Sequence, residues 1–290
     1  MSRATLTLII LNYNSQFWLK KTLTSLKINY LDKSKTKVKT IVVDNNSQDD
    51  SVKMVKKEFP WIELIELDNN SGYAAGNNVA LKAVDSEYVM LLNNDVEFTA
   101  GSNLDLLIEF LKQNQQFAVA SPKVFLSNGK LDWACHRGEP TPWASFTYFL
   151  GLAELFPQSK LFARYHQTYQ NMNDPHTIDA CTGAAMMIRT KYMNEVGLLD
   201  ELFFMYAEDL DWCKRFRDAG YKISFVPLAS IIHHKYKSGI KTQTEITALQ
   251  AKKSFYNTML QYYDKHYQSK YPKIIRWLLK TFLFIKKGGM

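Results

Sequence analysis

The first hundred residues alternate between strand-like and helix-like segments, and this alternation limits the choice of fold more than any other feature. Continuous runs of Ile, Val and Leu predict strands buried on both faces, and segments with apolar residues at helical spacing lie between them. Such repeats, joined by right-handed crossovers, predict an α/β fold with a Rossmann-like, mostly parallel sheet that carries helices on both faces. The predicted strands are 6–11, 39–44, 62–67 and 88–93, and the predicted helices are 15–28, 49–59 and 76–84.

The alternation weakens in the second half of the chain. Residues 127–178 are rich in aromatic residues and proline, and we interpret them as a long excursion over the binding site. Around this excursion the pattern predicts helices at 102–116, 208–220, 244–263 and 273–285, and strands at 117–125, 183–189 and 221–227.

Polar residues cluster directly after the predicted strands. The clusters are residues 12–14, 44–47, 68–78 and 93–95. In open α/β sheets, ligands bind outside the carboxyl ends of the strands. Four such clusters in register therefore predict one composite site at that edge of the sheet.

The segment VMLLNNDVEF at 89–98 brings a carboxylate to the end of a buried strand. Asp95 in this position can bind a hard cation such as Mg²⁺ or Mn²⁺, which prefers carboxylate oxygen and shares its coordination with substrate phosphates. The alternative is an ordinary turn, because Asn and Asp favour turns, and the segment taken alone favours this alternative.

Two other clusters have both a binding and a structural interpretation. Asp44 can accept a hydrogen bond from a nucleobase or a ribose hydroxyl, or it can belong to the cap of the 49–59 helix. Gly72 and Gly76 allow close approach of the backbone to a ligand, or they serve a loop that needs positive φ angles.

Acidic and imidazole side chains farther along the chain complete the set of candidates. Glu208 and Asp209 follow the aromatic run FFMY and begin a predicted helix. Acids suit a helix N-terminus, but a carboxyl group in apolar surroundings also has a raised pKa and can act as a general base. His233 and His234 end an apolar run, where an imidazole can bind a metal or serve the core.

The positive charge of the chain is concentrated in its C-terminal part. Residues 235–290 contain 12 Lys or Arg and 2 Asp or Glu, a net charge of +10, whereas the rest of the chain carries −2. A wide nucleic-acid-binding groove is therefore not expected.

The cysteines and the N-terminal apolar run concern the cellular compartment. The three cysteines are far apart, which favours a reducing cytosolic compartment. The apolar run at 6–11 is too short for a signal peptide or a membrane span.

Together these motifs resemble glycosyltransferase family 2, whose members have the GT-A fold, and within it the bacterial rhamnosyltransferase-like enzymes of cell-surface polysaccharide synthesis. The resemblance covers roughly residues 5–240 and implies a GT-A domain at 1–240. It rests on the segments IILNYN, IVVDNNSQDDS, NNSGYAAGNN, LLNNDV, CTGAAMMIR, LLDELFFMYAEDLDWCKR and VPLASIIHH.

The resemblance implies a nucleotide pocket and a metal site. Asp95 and His233 would bind a divalent metal, Mg²⁺ or Mn²⁺. Asn93 stands where the D-x-D motif of the family has its first acid, so one anionic ligand is lost. The nucleotide pocket would be lined by Asn12, Tyr13, Asn14, Asp44, Asn46, Asn70, Gly72, Tyr73, Gly76, Asn77, Asn78, Asn93 and Asn94.

The resemblance also implies a one-step, inverting transfer to a saccharide or a lipid-linked saccharide. Asp209 would be the base that takes the proton of the acceptor hydroxyl, Glu208 would be a supporting acid, and Gly183 and Ala184 would lie beside the donor sugar. The expected donor is dTDP-L-rhamnose. A UDP-hexose or a UDP-N-acetylhexosamine is the alternative, because uracil and thymine present the same hydrogen-bonding edge. The alternative from another class is an inactive nucleotide-sugar-binding scaffold.

The tail at 241–290 lies outside the strong resemblance. Lys273, Arg276, Lys280 and Lys287 fall on one stripe of the last predicted helix, and apolar residues cover the rest. A basic amphipathic helix can lie on an anionic membrane surface, or it can pack on the domain with extended Lys side chains. The tail thus predicts a cytoplasmic enzyme in peripheral contact with the inner face of the cytoplasmic membrane, with packing on the domain as the alternative.

Overall fold

A computed structural model describes residues 3–235 and 245–287, and strands and helices alternate there as the sequence predicts. The strands are β1 (Leu6–Asn12), β2 (Val38–Asp44), β3 (Glu63–Glu66), β4 (Tyr88–Asn93), β5 (Val96–Glu97), β6 (Phe117–Leu126), β7 (His176–Ile178), β8 (Ala185–Arg189) and β9 (Lys222–His233). The helices are α1 (Gln16–Leu26), which continues into a π-helical turn (Lys27–Leu31), α2 (Ser51–Glu58), α3 (Gly72–Leu81), α4 (Asp105–Gln113), α5 (Pro142–Phe149), α6 (Leu152–Leu155), α7 (Thr190–Val196), α8 (Glu208–Asp218), α9 (Glu245–His266) and α10 (Lys273–Lys287).

The strands form one curled sheet with the order β3-β2-β1-β4-β8-β6-β9-β5, and β7 pairs with β9. Strands β3, β2, β1 and β4 are parallel, and the antiparallel β8 connects them to β6. Both faces of β1 and β4 are covered, which is why their sequences are continuous apolar runs. The register pairs Asn12 with Asp44 and Leu11 with Asn93, so the carboxyl ends of three strands lie at one edge. The predicted mostly parallel α/β sheet is confirmed.

Strand β9 is longer than the predicted strand at 221–227, and the predicted end was wrong. Its pairing with β6 goes from Val226, opposite Pro122, to Ser230, opposite Lys123, so residues 227–229 form a bulge. Pro227 lies in this bulge, where its missing N–H costs no ladder hydrogen bond. The strand then resumes and carries His233 to the same edge as the ends of β1, β2 and β4.

Helix α3 begins at Gly72, four residues before the predicted start at 76, because the glycine-containing segment is itself helical. Gly72 has a φ of +84°, as the loop interpretation expects. Gly76 lies inside the helix, and that interpretation is wrong for it. A Cβ at Gly76 would lie 2.6 Å from Leu11 Cδ1, so this glycine allows α3 to pack closely on β1.

The tail helices pack on the domain. Asp211 of α8 is fully buried, and its carboxylate binds Arg215 at 2.8 Å, Lys265 at 2.6 Å and His266 at 2.7 Å. Burial would raise the pKa of Asp211, but the hydrogen bonds from His266, Lys265 and Arg215 outweigh it and lower the pKa to about 2. This network fastens α9 to α8. The predicted start of α9 at 244 and the domain boundary at 240–241 lie outside the described residues.

Helix α10 packs on α9 with one face and leaves another face exposed. Ile275 and Leu279 contact the cluster formed by Phe203, Tyr262, Tyr263 and Tyr267. The exposed apolar side chains of α10 are Ile274, Trp277, Leu278, Phe284 and Ile285. In residues 3–235 and 245–287, no helix is both long and apolar enough to span a membrane.

Candidate active site

A buried hydrogen-bond network joins the carboxyl ends of β1, β2 and β4. Asn12 Nδ2 donates to Asp44 Oδ2 at 3.0 Å, and Asn94 Nδ2 donates to Asn12 Oδ1 at 2.8 Å. The backbone N–H of Ser47 donates to Asp44 Oδ1 at 2.8 Å. Asp44 is therefore not a cap of α2, and the N–H of Ser51 at the start of that helix is bound by Asp49. The network holds Asp44, a predicted nucleotide ligand, in a fixed orientation.

The turn before α3 is held by Asn45, which the sequence did not single out. Asn45 Nδ2 donates to Asn70 Oδ1 at 2.9 Å, and Asn45 Oδ1 accepts from the N–H of Ser71 at 2.9 Å. A Cβ at Gly72 would lie 2.5 Å from the carbonyl oxygen of Phe204. The turn thus needs glycine both for its positive φ and for the close approach of this neighbouring loop.

Other predicted pocket residues have partners within the protein. Asn78 Nδ2 donates to the carbonyl of Leu199 and to Glu201 Oε1, both at 2.9 Å, which fastens the loop that leads to α8. Asn77 Nδ2 donates to the carbonyl of Tyr73 at 2.9 Å.

Three further residues of the predicted pocket are more exposed. Asn46 has a φ of +66° and accepts a hydrogen bond from Gln48. Asn14 Oδ1 accepts from the N–H of Gln48 at 2.6 Å. Tyr13 is 39% exposed at the same edge of the sheet, so its ring is accessible to a ligand.

The predicted metal ligands lie together. His233 Nε2 is 3.2 Å from Asp95 Oδ1 and 3.3 Å from Asn93 Nδ2. His233 Nδ1 is 3.1 Å from Asp132 Oδ2, and a carboxylate behind a metal-binding imidazole orients its ring. Burial would lower the pKa of His233, but the hydrogen bonds to Asp132 and Asp95 outweigh it and raise the pKa to about 9. His234 turns away and binds Glu97 at 2.6 Å.

The donor set fits a hard divalent cation that shares its coordination with a ligand. The carboxylate of Asp95 and the imidazole of His233 lie together, and the side-chain amide of Asn93 lies beside them with its nitrogen toward His233. No group of three or more His, Cys, Asp or Glu side chains in the described ranges is arranged to hold a metal by itself. The remaining ligands would therefore be oxygens of a bound diphosphate and water.

Gly183 and Ala184 connect the region of the predicted metal ligands to the acidic pair of α8. The N–H of Asn93 donates to the carbonyl of Ala184 at 3.1 Å, and the N–H of Gly183 donates to Asp209 Oδ2 at 3.3 Å. The hydroxyl of Tyr73 donates to the carbonyl of Gly183 at 2.9 Å, and a Cβ at Gly183 would lie 2.6 Å from that hydroxyl oxygen. The predicted donor-sugar residues thus lie between the predicted metal ligands and the predicted base.

The two acids at the start of α8 have different environments. Asp209 forms a 2.6 Å ion pair with Arg137, and both side chains are almost fully buried. Glu208 has no cation within hydrogen-bond distance among the described residues, and its Oε2 has no hydrogen-bond partner there. Burial, with a further contribution from the Asp209 charge, raises the pKa of Glu208 to about 8. At neutral pH Glu208 is therefore protonated, next to an Asp209 whose carboxylate is paired with Arg137.

The residues before this pair have an uncommon backbone conformation. Tyr206 and Ala207 have φ angles of +72° and +66°, in the left-handed region that non-glycine residues seldom adopt. Each such residue costs on the order of 1–3 kcal/mol, and such strain is found most often at functional sites. The turn leads into α8, where Asp209 Oδ2 accepts from the N–H of Gly183 at 3.3 Å.

Four residues that support the site were missed by the sequence analysis: Asn45, Ser47, Asp132 and Arg137. Asn45 and Ser47 belong to a polar cluster that the sequence did identify, so their neighbourhood was a usable signal. Asp132 and Arg137 lie in the excursion at 127–178, which has no periodicity. Nothing in their local sequence connects them to His233 and Asp209.

Comparisons with known proteins point to one family. The family model described as Glycosyl transferase family 2 matches residues 7–197. The N-acetylglucosaminyl-diphospho-decaprenol L-rhamnosyltransferase of Mycobacterium tuberculosis is 22% identical over 264 residues, which is 87% of this chain and 83% of that protein. Rhamnosyltransferase WbbL of Escherichia coli K12 is 22% identical over 241 residues, 79% of this chain and 83% of that protein.

Among solved structures, the mannosyltransferase PcManGT from Pyrobaculum calidifontis, in complex with GDP-Man and Mn²⁺, superimposes with a TM-score of 0.58. It is 16% identical, and the alignment covers 98% of this chain and 70% of that chain. At this identity the similarity shows a shared fold.

Proposed function

Since the family model covers most of its length, the chain belongs to glycosyltransferase family 2, and we propose that it transfers L-rhamnose from dTDP-L-rhamnose with inversion of the anomeric carbon. Its fold is the GT-A fold, as the resemblance implied. The observation that carries the proposal is the Gly183–Ala184 segment, which joins Asn93 beside the metal ligands to Asp209. Support for the donor comes from the two rhamnosyltransferase relatives. The name of the mycobacterial relative, an N-acetylglucosaminyl-diphospho-decaprenol L-rhamnosyltransferase, also favours a lipid-linked saccharide as the acceptor.

The proposed chemistry is a single displacement. Asp209 takes the proton of an acceptor hydroxyl while the hydroxyl oxygen forms a bond to the anomeric carbon. The bond from that carbon to the diphosphate oxygen breaks on the opposite face, so the configuration inverts. A divalent metal bound by Asp95 and His233 would supply positive charge for the departing nucleoside diphosphate. Glu208, protonated at neutral pH, can donate a hydrogen bond without adding negative charge beside Asp209.

The exposed face of α10 supports contact with an anionic membrane surface. Trp277 is 60% exposed and Phe284 is 56% exposed, on a helix whose other face packs on α9. Lys273 and Lys280 are exposed beside this apolar face, whereas Arg276 is bound to Asp264 at 2.7 Å. Trp, Phe and Lys in this arrangement are typical of helices that lie in a membrane interface. Such contact would bring the site to a lipid-linked acceptor.

A panel of nucleotide sugars tests the proposal. The protein is incubated with dTDP-L-rhamnose, UDP-glucose, UDP-galactose and UDP-N-acetylglucosamine, with Mn²⁺ or with excess chelator. Thermal stabilisation and release of the nucleoside diphosphate are measured for each donor. We expect the largest effects with dTDP-L-rhamnose and Mn²⁺. Larger effects with a UDP-sugar would identify that sugar as the donor in place of dTDP-L-rhamnose. Thermal stabilisation without any turnover would favour the inactive nucleotide-sugar-binding scaffold.

A further inference from the structure

We infer that Arg137 is a positioning residue for the base of this transferase: it fixes the carboxylate of Asp209 against the donor-sugar segment and leaves one carboxylate oxygen for the acceptor. The inference rests on the proposed role of Asp209. It assigns a function to a residue of the aromatic excursion, a segment that contains none of the predicted site residues.

The guanidinium of Arg137 joins two parts of the site. Its Nη2 donates to Asp209 Oδ2 at 2.6 Å and to the carbonyl of Cys181 at 2.7 Å. The backbone of Arg137 also pairs with Ala180, with N–H to carbonyl distances of 3.0 and 2.9 Å in the two directions. The arginine is therefore held by the segment that leads to Gly183, and its side chain fixes the position of the base on α8 relative to that segment.

The remaining hydrogen bonds of Asp209 determine which oxygen is accessible. Oδ2 accepts from Arg137 and from the N–H of Gly183, and Oδ1 accepts from the N–H of Leu210 at 2.7 Å. A carboxylate has about four lone-pair positions, two on each oxygen. Donors in residues 3–235 and 245–287 fill both positions on Oδ2 and one on Oδ1. The proton of the acceptor would thus go to Oδ1.

The displacement at the anomeric carbon also conserves charge. When the acceptor O–H bond breaks, its proton neutralises Asp209, and the electrons of the broken sugar–oxygen bond leave with the nucleoside diphosphate. Burial would lower the pKa of Arg137, but the charge of Asp209 outweighs it and raises that pKa. Arg137 keeps its proton and its hydrogen bond to Cys181 throughout, so the base does not lose its orientation.

The test uses a double-mutant cycle with a matched control. The variants are Arg137→Met, Asp209→Asn and the double variant. Arg217→Met is the control, because Arg217 binds Glu139 at 2.8 Å and links the same excursion to the same helix without contacting Asp209. Turnover of dTDP-L-rhamnose with Mn²⁺ gives kcat and KM, and thermal unfolding gives the melting temperature.

We expect Arg137→Met to lower kcat by about 10²-fold with KM within about threefold, because a misplaced base slows the chemical step but not donor binding. On the Asp209→Asn background the same change should have no further effect on kcat. The double variant should also melt at a higher temperature than Arg137→Met, since the single variant leaves a buried carboxylate without its cation. Arg217→Met should keep kcat within about threefold of the wild type.

Two results would overturn the inference. One is that Arg137→Met lowers kcat by the same factor in the wild type and in the Asp209→Asn background. The other is that the control Arg217→Met lowers kcat as much as Arg137→Met does. A wild-type protein without turnover of any donor in the panel would instead refute the proposed function, and the role of Arg137 with it. The melting temperatures report on the Arg137–Asp209 pair in either case, and a double variant that melts below Arg137→Met would contradict the pairing.

Discussion

Replacing Glu208 by Gln should make the stability of the protein less dependent on pH. Glu208 is buried beside Asp209, and its pKa is about 8 in the folded protein against an ordinary value of 4.5. In the unfolded chain the carboxyl group loses its proton near pH 4.5, whereas the folded protein keeps it until about pH 8. The contribution of the protonated group is complete below pH 4.5 and is lost as the pH rises through 8.

The size of this effect follows from the difference between the two pKa values. At about 1.4 kcal/mol for each pKa unit, a rise from 4.5 to about 8 corresponds to a loss of about 5 kcal/mol across this range. Total stabilities of domains are about 5–15 kcal/mol, so this loss is measurable by urea unfolding. Gln has the shape of the protonated acid and carries no charge. The unfolding free energy of the Glu208→Gln variant should therefore lack this part of the pH dependence.

The assay is urea unfolding of the wild type and the Glu208→Gln variant at several pH values from 5 to 9. We expect the variant to gain about 1.4 kcal/mol of stability relative to the wild type for each pH unit between 5 and about 8, and nothing further above that, because Glu208 is then ionised in both the folded and the unfolded wild type. Glu109→Gln, at an exposed position of α4, is the control and should follow the wild-type curve. Parallel curves for the Glu208→Gln variant and the wild type would refute the account of this buried acid.

Three further predictions concern the metal ligands, the glycine turn and the last helix. Asp95→Ala should lower turnover by about 10²-fold or more and remove the thermal stabilisation by Mn²⁺ with dTDP, because the carboxylate ligand is lost; unchanged turnover in excess chelator would contradict this. Gly72→Ala should lower the free energy of unfolding, measured in urea, by about 1–3 kcal/mol more than Gly129→Ala does. Both glycines have a positive φ, but only a Cβ at position 72 would meet a backbone oxygen, at 2.5 Å. Equal losses of stability in the two variants would show that the clash is relieved. Trp277→Ser combined with Phe284→Ser should weaken binding to anionic vesicles by about tenfold or more in a flotation assay while the melting temperature stays unchanged, whereas Leu202→Ser, an exposed control on another surface, should bind as the wild type does.

The sheet could be predicted from the sequence because its central strands carry their own signal. The apolar runs that form β1, β2 and β4 are continuous, and the polar residues that follow them reach the same edge by the rules of parallel pairing. Strand β9 was harder, because Pro227 has the local features of a strand end. Only the pairing with β6 shows that the proline lies in a bulge and that the strand continues to His233.

The side chains that orient the site could be predicted only in part. Asp95 and His233 follow apolar runs and were predicted as metal ligands from the family resemblance, and the structure places their side chains 3.2 Å apart. Arg137 lies 72 positions from Asp209, and Asp132 lies 101 positions from His233. Contacts at such separations depend on how the excursion at 127–178 folds back over the sheet, and that segment has no periodicity from which its path could be inferred.

Adjacent residues of the same type also limit what a sequence can show. Asn45 and Asn46 follow the end of β2, and the sequence analysis assigned the pocket to Asn46. In the structure Asn45 is buried and holds the turn at Asn70, whereas Asn46 is less buried and adopts a positive φ. The backbone conformation after the strand decides which of two neighbouring asparagines faces inward. Because both residues are asparagine, the sequence does not distinguish them.

The central claim is that Asp209 is the base of a single-displacement transfer, and the Asp209→Asn variant tests it most directly. Binding of dTDP-L-rhamnose in the presence of Mn²⁺ is measured by calorimetry, and transfer is measured as released dTDP, for the wild type, Asp209→Asn and Glu208→Gln. We expect Asp209→Asn to bind the donor as the wild type does and to lose turnover by ~10²-fold or more, because the amide keeps the shape of the carboxylate and loses its basicity. An active Asp209→Asn together with an inactive Glu208→Gln would contradict it and assign the base to Glu208.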